Sequence, residues 1–167
     1  RYHDGRIAEG AIAECEVQGY VYDAKRRIAV IAREVWRDRD LADRLEREAE
    51  ELKQRFDEAF WVEERGGYFA LALDGDKRQV DSATSNIGHL LWSGIVKPER
   101  VDQVVDRLMS EPLWSGWGVR TMSTLDAAYN PLSYHNGTVW PHDNSIIAWG
   151  LARYARWQEC HRIVRRM

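Results

Sequence analysis

Two apolar stripes at helical spacing, joined by a few polar residues, constrain this chain more than any other feature. Val17, Val21, Ala24, Ile28, Ile31 and Val35 recur at steps of four and three, which places them on one face of a helix running from about Ala11. Lys25, Arg26, Arg33 and Glu34 fall on its other side. After Asp38-Arg39-Asp40 a second stripe follows: Leu41, Leu45, Ala49, Leu52, Phe56 and Phe60. Its opposite face carries Asp40/Arg44, Asp43/Arg47 and Glu51/Arg55 four residues apart, a spacing at which opposite charges support an exposed helix. That charge reads as a solvated face and calls for no partner. Two helices with so short a joint fold back on each other as a hairpin.

The period then changes. Tyr68 to Leu73 followed by Asp74-Gly75-Asp76 predicts a short strand entering a hairpin turn. A third helix is expected from Ala83 to Trp92, carrying Ile87, Leu90 and Leu91 and ended by Gly94. A fourth begins with Pro98 in its first turn and presents Val101, Val104, Val105 and Leu108. Two irregular stretches follow. Trp114 to Thr121 holds two tryptophans, two glycines and Arg120; Tyr129 to Asn144 holds Pro131, Pro141, Asn136-Gly137, two histidines, two tyrosines and Trp140. Prolines and an Asn-Gly turn exclude a helix interior there. A last helix is expected from Ser145, with Asp143 or Asn144 as its cap. Short connections thus alternate with long ones rich in Trp, Gly, His and Asn. This pattern suits a ring of hairpins with its functional loops gathered at one end.

Composition narrows the function. Hydrophobic residues at 44% and charged residues at 31% read as globular, and a net charge of −3 without a basic stripe argues against nucleic acid. No apolar run approaches the ~20 residues of a membrane span. Cys15 and Cys160 are far apart and lack metal spacing, so they read as reduced thiols of a cytoplasmic protein, with one disulfide as the alternative. Eight tryptophans exceed what a core of this size needs; clustered Trp often marks a groove where rings stack on sugars. The chain opens at Arg1 without a methionine and stops within Arg165-Arg166-Met167, and both ends are expected to be internal to a longer protein.

Glu16 to Tyr22 (Glu-Val-Gln-Gly-Tyr-Val-Tyr), Ser115 to Thr121 (Ser-Gly-Trp-Gly-Val-Arg-Thr) and Tyr134 to Asp143 (Tyr-His-Asn-Gly-Thr-Val-Trp-Pro-His-Asp) resemble consecutive blocks of the bacterial glycogen-debranching, amylo-α-1,6-glucosidase-like proteins. More distantly the chain is similar to trehalase, glucoamylase and the processing α-glucosidases. The resemblance implies a mainly α fold, part of an (α/α)6 toroid with a short β-hairpin insertion, in which residues 1–167 form about half of a single catalytic domain. It also implies α-glucoside hydrolysis with inversion, one carboxylic acid protonating the leaving oxygen and a second carboxylate activating water. The family's acid is expected just upstream of Tyr2-His3-Asp4-Gly5 and its base well downstream of Met167. The partner implied is an α-glucan or a shorter α-glucoside.

Within the chain, Glu16 is read as a ligand of sugar hydroxyls, as an acid, or as a first-turn glutamate favoured by the helix dipole. Gln18 and Tyr20 stand beside it. Trp117 and Trp140 are expected to stack on pyranose faces, and Arg120 to donate to hydroxyls or hold a carboxylate. Tyr134, His135, Asn136 and His142 complete the expected sugar contacts. Glu16, Trp117, Tyr134 and Trp140 should converge on one concave end. His89, between Gly88 and Leu90, reads as a satisfied core or rim histidine. The spacing of His135, His142 and Asp143 fits no metal motif, so neither a metal nor a cofactor is expected. A non-catalytic carbohydrate-binding scaffold using the same groove is the alternative, and a helical interaction module a weaker one.

Overall fold

The computed structural model describes residues 1–167. Helix α1 (Cys15–Ile31) continues through a π-helical turn over Ala32–Trp36, and α2 (Arg39–Phe60) follows directly. Arg37 takes a left-handed conformation between them, and the Asp38 carboxylate accepts from Leu41 N at 2.9 Å, capping α2. After four two-residue strands come α3 (Asn86–Ser93), α4 (Val101–Met109), α5 (Pro141–Arg153) and α6 (Trp157–Val164). The helices pair as α1–α2, α3–α4 and α5–α6, three helical hairpins. The mainly helical, partial-toroid architecture read from the sequence is therefore the one observed.

The short joints after α1, α3 and α5 lie at one end of the hairpins. The long segments before α1, between α2 and α3, and between α4 and α5 gather at the other, together with the N-termini of α1, α3 and α5. Helix α3 packs between α1 and α5. Two glycines set how closely α3 and α5 approach: a Cβ on Gly88 would collide with Ile147, and one on Gly150 would lie 2.6 Å from Trp92 N. The main core joins Phe56, Phe60 and Phe69, stacked at 4.6 and 4.9 Å, to Leu90, Leu91, Leu108, Ile147 and Leu151.

Several details differ from the sequence reading; the first helix begins at Cys15 and not near Ala11, because Ala13–Glu14 pairs as a strand. The expected strand over 68–73 is divided between two ladders. Tyr68–Phe69 (β3) pairs with Trp61–Val62 (β2), whereas Ala72–Leu73 (β4) lies between Ala13–Glu14 (β1) and Gln79–Val80 (β5), all antiparallel. The chain changes ladders at Ala70, whose N–H goes to Phe60 O. Helix α3 begins three residues later than expected, because the Ala83 carbonyl that a helix would offer to Ile87 N is taken by Ser123 N at 2.9 Å. Helix α5 begins four residues earlier, with Pro141 in its first turn, where a missing N–H is harmless. No side chain caps it, so the capping role assigned to Asp143 or Asn144 is corrected.

The last difference concerns the α1 stripe. Val17, Val21, Ile28, Ile31 and Val35 are 40–68% exposed, while α1 buries Cys15, Gly19, Tyr22, Ala29 and Ala32 against its neighbours. Helix α2 instead turns its stripe inward, burying Ala49, Phe56 and Phe60. Cys15 and Cys160 are both free thiols. No helix is long and apolar enough to cross a membrane.

Candidate functional site

Residues at the start of α1, α3 and α5 meet around a cavity of about 360 Å³. Glu16 lies in the first turn of α1 and Asp143 in the first turn of α5, positions where a helix dipole favours a carboxylate. Tyr20 is one turn beyond Glu16 on the same face of α1. Asn86 and His89 are three apart on α3 and face the same way.

His89 is the hub. It is 3% exposed, and its Nδ1 lies 2.5 Å from the Tyr20 hydroxyl and 3.6 Å from Glu16 Oε2. Its Nε2 lies 3.3 Å from Asp143 Oδ1. Ser85 Oγ donates to the other Asp143 oxygen at 2.6 Å, and Asn86 Nδ2 donates to Glu16 at 3.0 Å. His142 stands 3.5 Å from Asp143, its ring edge-on to His89. Burial, the largest influence on Asp143, acts to raise its pKa, yet the hydrogen bonds from His89 and Ser85 and the nearby histidines bring it below the ordinary carboxylate value. Burial and the two neighbouring carboxylates push the Tyr20 phenol up to about 12.

The loop before α5 closes one side. Trp140 lines the cavity, its ring packed on Tyr134 at 4.6 Å and beside His135 at 5.3 Å. Its indole N–H is already taken by Tyr134 O and Thr138 Oγ1. Asn144 locks this loop to the preceding one by accepting from Val119 N at 2.7 Å and donating to Val119 O at 3.0 Å. Thr121 adds to the wall and accepts the Gly137 N–H.

The cavity thus brings together five of the ten residues singled out from the sequence: Glu16, Tyr20, His135, Trp140 and His142. Tyr134 is 70% exposed and supports Trp140 from outside. Gln18 turns back to Glu14 O, and Asn136 accepts from Asn130 N through its backbone, serving the turn. Trp117 and Arg120 lie elsewhere. Trp117 is 66% exposed beneath Arg166, and Arg120 reaches Glu111 O while its backbone pairs with Val139. The expected convergence of four side chains therefore holds for Glu16, Trp140 and, at its edge, Tyr134, and fails for Trp117. A Gly-bounded loop frees a tryptophan to leave the groove as readily as to line it.

Ser85, Asn86, His89 and Asp143 were missed as site residues. His89 sits within an apolar run that looks like core, although its place three residues after Asn86, on the face leading to the helix start, was visible. A second, open cleft of about 450 Å³ is lined by Tyr2, His3, Trp61, Arg65 and Asp81 among others, with His3 2.6 Å and Arg65 3.7 Å from Asp81. No three His, Cys, Asp or Glu side chains are arranged to hold a metal ion.

The family model of the mannosylglycerate hydrolase MGH1-like glycoside hydrolase domain matches residues 1–167. No curated protein sequence matches the chain. Among solved structures, the chain is similar to the mannosylglycerate hydrolase of Thermus thermophilus in complex with glucose, with a TM-score of 0.78 at 16% identity over 93% of this chain and 36% of that one. It is also similar to the neutral trehalase of Saccharomyces cerevisiae, with a TM-score of 0.72 at 16% identity over 86% of this chain and 28% of that one. The chain spans about a third of the length of these structures.

Proposed function

Because the chain belongs to the mannosylglycerate hydrolase MGH1-like glycoside hydrolase domain family, we propose that it forms the glycosyl-binding wall of an inverting hydrolase acting on short α-glucosides or closely related α-glycosides. The observation that carries this reading is the cavity at the three helix starts, where Glu16, Asp143 and Tyr20 face an aromatic wall made by Trp140. A pyranose presents hydroxyls at its rim and C–H groups on its faces, so carboxylate oxygens beside an indole match it on both counts. The family neighbour that binds glucose in its crystal supports a hexose-sized occupant. The α-1,6-glucan specificity suggested by the sequence blocks is one member of this substrate class.

Inversion requires an acid and a base standing ~6.5–9.5 Å apart across the bond. We place that pair on segments beyond these residues, with Glu16 as a ligand of hydroxyls. The test uses protein from the complete reading frame and, separately, the 167-residue chain. The former should hydrolyse members of a panel of maltose, isomaltose and mannosylglycerate, with NMR showing the β-anomer first. The latter should bind gluco-oligosaccharides without turnover. Turnover by the shorter chain, abolished by Glu16→Gln, would put the acid at Glu16 instead. A first product of α configuration would reject inversion.

A further inference from the structure

We propose that His89 is a positioning residue which, as its Nε2–H tautomer, fixes the Tyr20 proton inward and thereby turns the Tyr20 oxygen to the cavity as an acceptor beside the Glu16 and Asp143 carboxylates. This rests on the reading of the cavity as a glycosyl site.

The reasoning starts from Asp143. Its carboxylate already collects donors from Ser85 Oγ at 2.6 Å and from the His89 side, so it is held ionised, and an ionised carboxylate only accepts. The His89 nitrogen facing it must therefore carry a hydrogen. In a neutral imidazole the other nitrogen, Nδ1, is then an acceptor, and the only group within bonding distance is the Tyr20 hydroxyl at 2.5 Å. Glu16 Oε2, 3.6 Å from Nδ1, is too far to take that place. The Tyr20 phenol keeps its proton at neutral pH, since burial and the nearby carboxylates push it up to about 12. The proton consequently points at His89, and the Tyr20 oxygen turns its lone pairs to the cavity.

Two of the other polar groups direct a hydrogen at a carboxylate. Ser85 spends its hydrogen on Asp143, and Asn86 spends one on Glu16. No Lys or Arg lines the cavity. The titratable groups around His89 are Glu16 and Tyr20 from α1, His142 and Asp143 from α5, and Glu14 and His135 at the rim. A wall of this polarity reads donor hydroxyls and repels a ring bearing a carboxylate or phosphate at that position. Protonation of His89 would reverse it: Nδ1–H would claim the Tyr20 oxygen, and the phenol hydrogen would swing toward the ligand.

Two measurements test this. Long-range 1H–15N correlation spectra taken across pH 6 to 8 should show a bare Nδ1 and a protonated Nε2 for the neutral His89 ring. An Nδ1–H tautomer or an imidazolium throughout that range would overturn the proposal. Kinetics of protein from the complete reading frame, with a neutral aryl α-glucoside, supply the second. Tyr20→Phe, which keeps the ring and its packing, should raise KM about tenfold, the loss of one ligand hydrogen bond. His89→Gln should lower kcat/KM at least as far, and adding Tyr20→Phe to it should change little more, because the orientation it would remove is already lost. Full additivity of the two substitutions, or Tyr20→Phe with unchanged KM, would overturn the proposal. Absence of turnover on every glycoside would reject the proposed function instead, with the ring spectra still deciding the tautomer.

Discussion

Asp126 and Asp143 are both largely hidden from water, and their carboxyl groups end on opposite sides of the ordinary value. Asp143 is lowered, because Ser85, His89 and His142 surround it. Asp126 is 4% exposed and is pushed up to about 6 by burial, against the Ala83 N–H and the Arg65 charge. One of its oxygens has no partner, and neither do the neighbouring Ser82 and Thr84 hydroxyls. The start of α5 delivers Asp143 to two donors on another part of the chain, Ser85 and His89, with His142 beside it, whereas Asp126 meets a single backbone N–H. Donor supply rather than depth decides the ionisation of a buried acid.

Substitutions at both places can break this comparison. Asp143→Ala should have the largest effect, a loss of about 2–4 kcal/mol in stability, since it strands Ser85 and His89 in a buried site. A denaturant midpoint measures it; a loss under 1 kcal/mol would show that the partners re-pair.

The pH dependence of Asp126 comes next. An acid whose folded pKa lies above its unfolded value favours folding while protonated. Wild-type stability should therefore fall as pH rises from 3.8 through about 6, by an amount on the order of 3 kcal/mol, and then level. Asp126→Asn keeps an acceptor for Ala83 and should remove that slope in thermal melts taken across the window. An unchanged slope would assign it to other groups.

Ser85→Ala should cost about 1 kcal/mol and move the acid-side loss of stability to higher pH, because Asp143 then ionises less readily. Its counterpart, Ser82→Ala, removes a buried hydroxyl without a partner and should leave stability within about 0.5 kcal/mol or raise it slightly. Equal losses in the two variants would mean that Ser82 has a partner after all, such as a bound water.

Some of this was legible in the chain. The hairpin α1–α2 follows from two stripes and a joint, and the gathering of Trp- and His-rich loops at one end follows from the alternation of long and short connections. The α1 stripe shows where legibility stops. Its period correctly gives the face that is apolar, yet Val17, Val21 and Ile28 lie exposed while Gly19, Ala29 and Ala32 make the contacts. Small residues allow close helix approach, and no count of hydrophobicity registers that.

Local chemistry was thus determined by sequence alone: helix period, proline- and glycine-bounded loops, and a block from Tyr134 to Asp143 dense in sugar-binding residue types. Tertiary structure decided which of these meet. Asp143 looked like a helix cap, and His89 like a satisfied core or rim histidine with unnamed partners, because each was judged against its chain neighbours. Their real partners are 54 residues apart in the chain and come together only when α3 and α5 close at Gly88 and Gly150. A hydrogen bond depends on distance and direction in space. The residues that build this site are therefore visible along the chain one at a time, and their roles are visible only after folding.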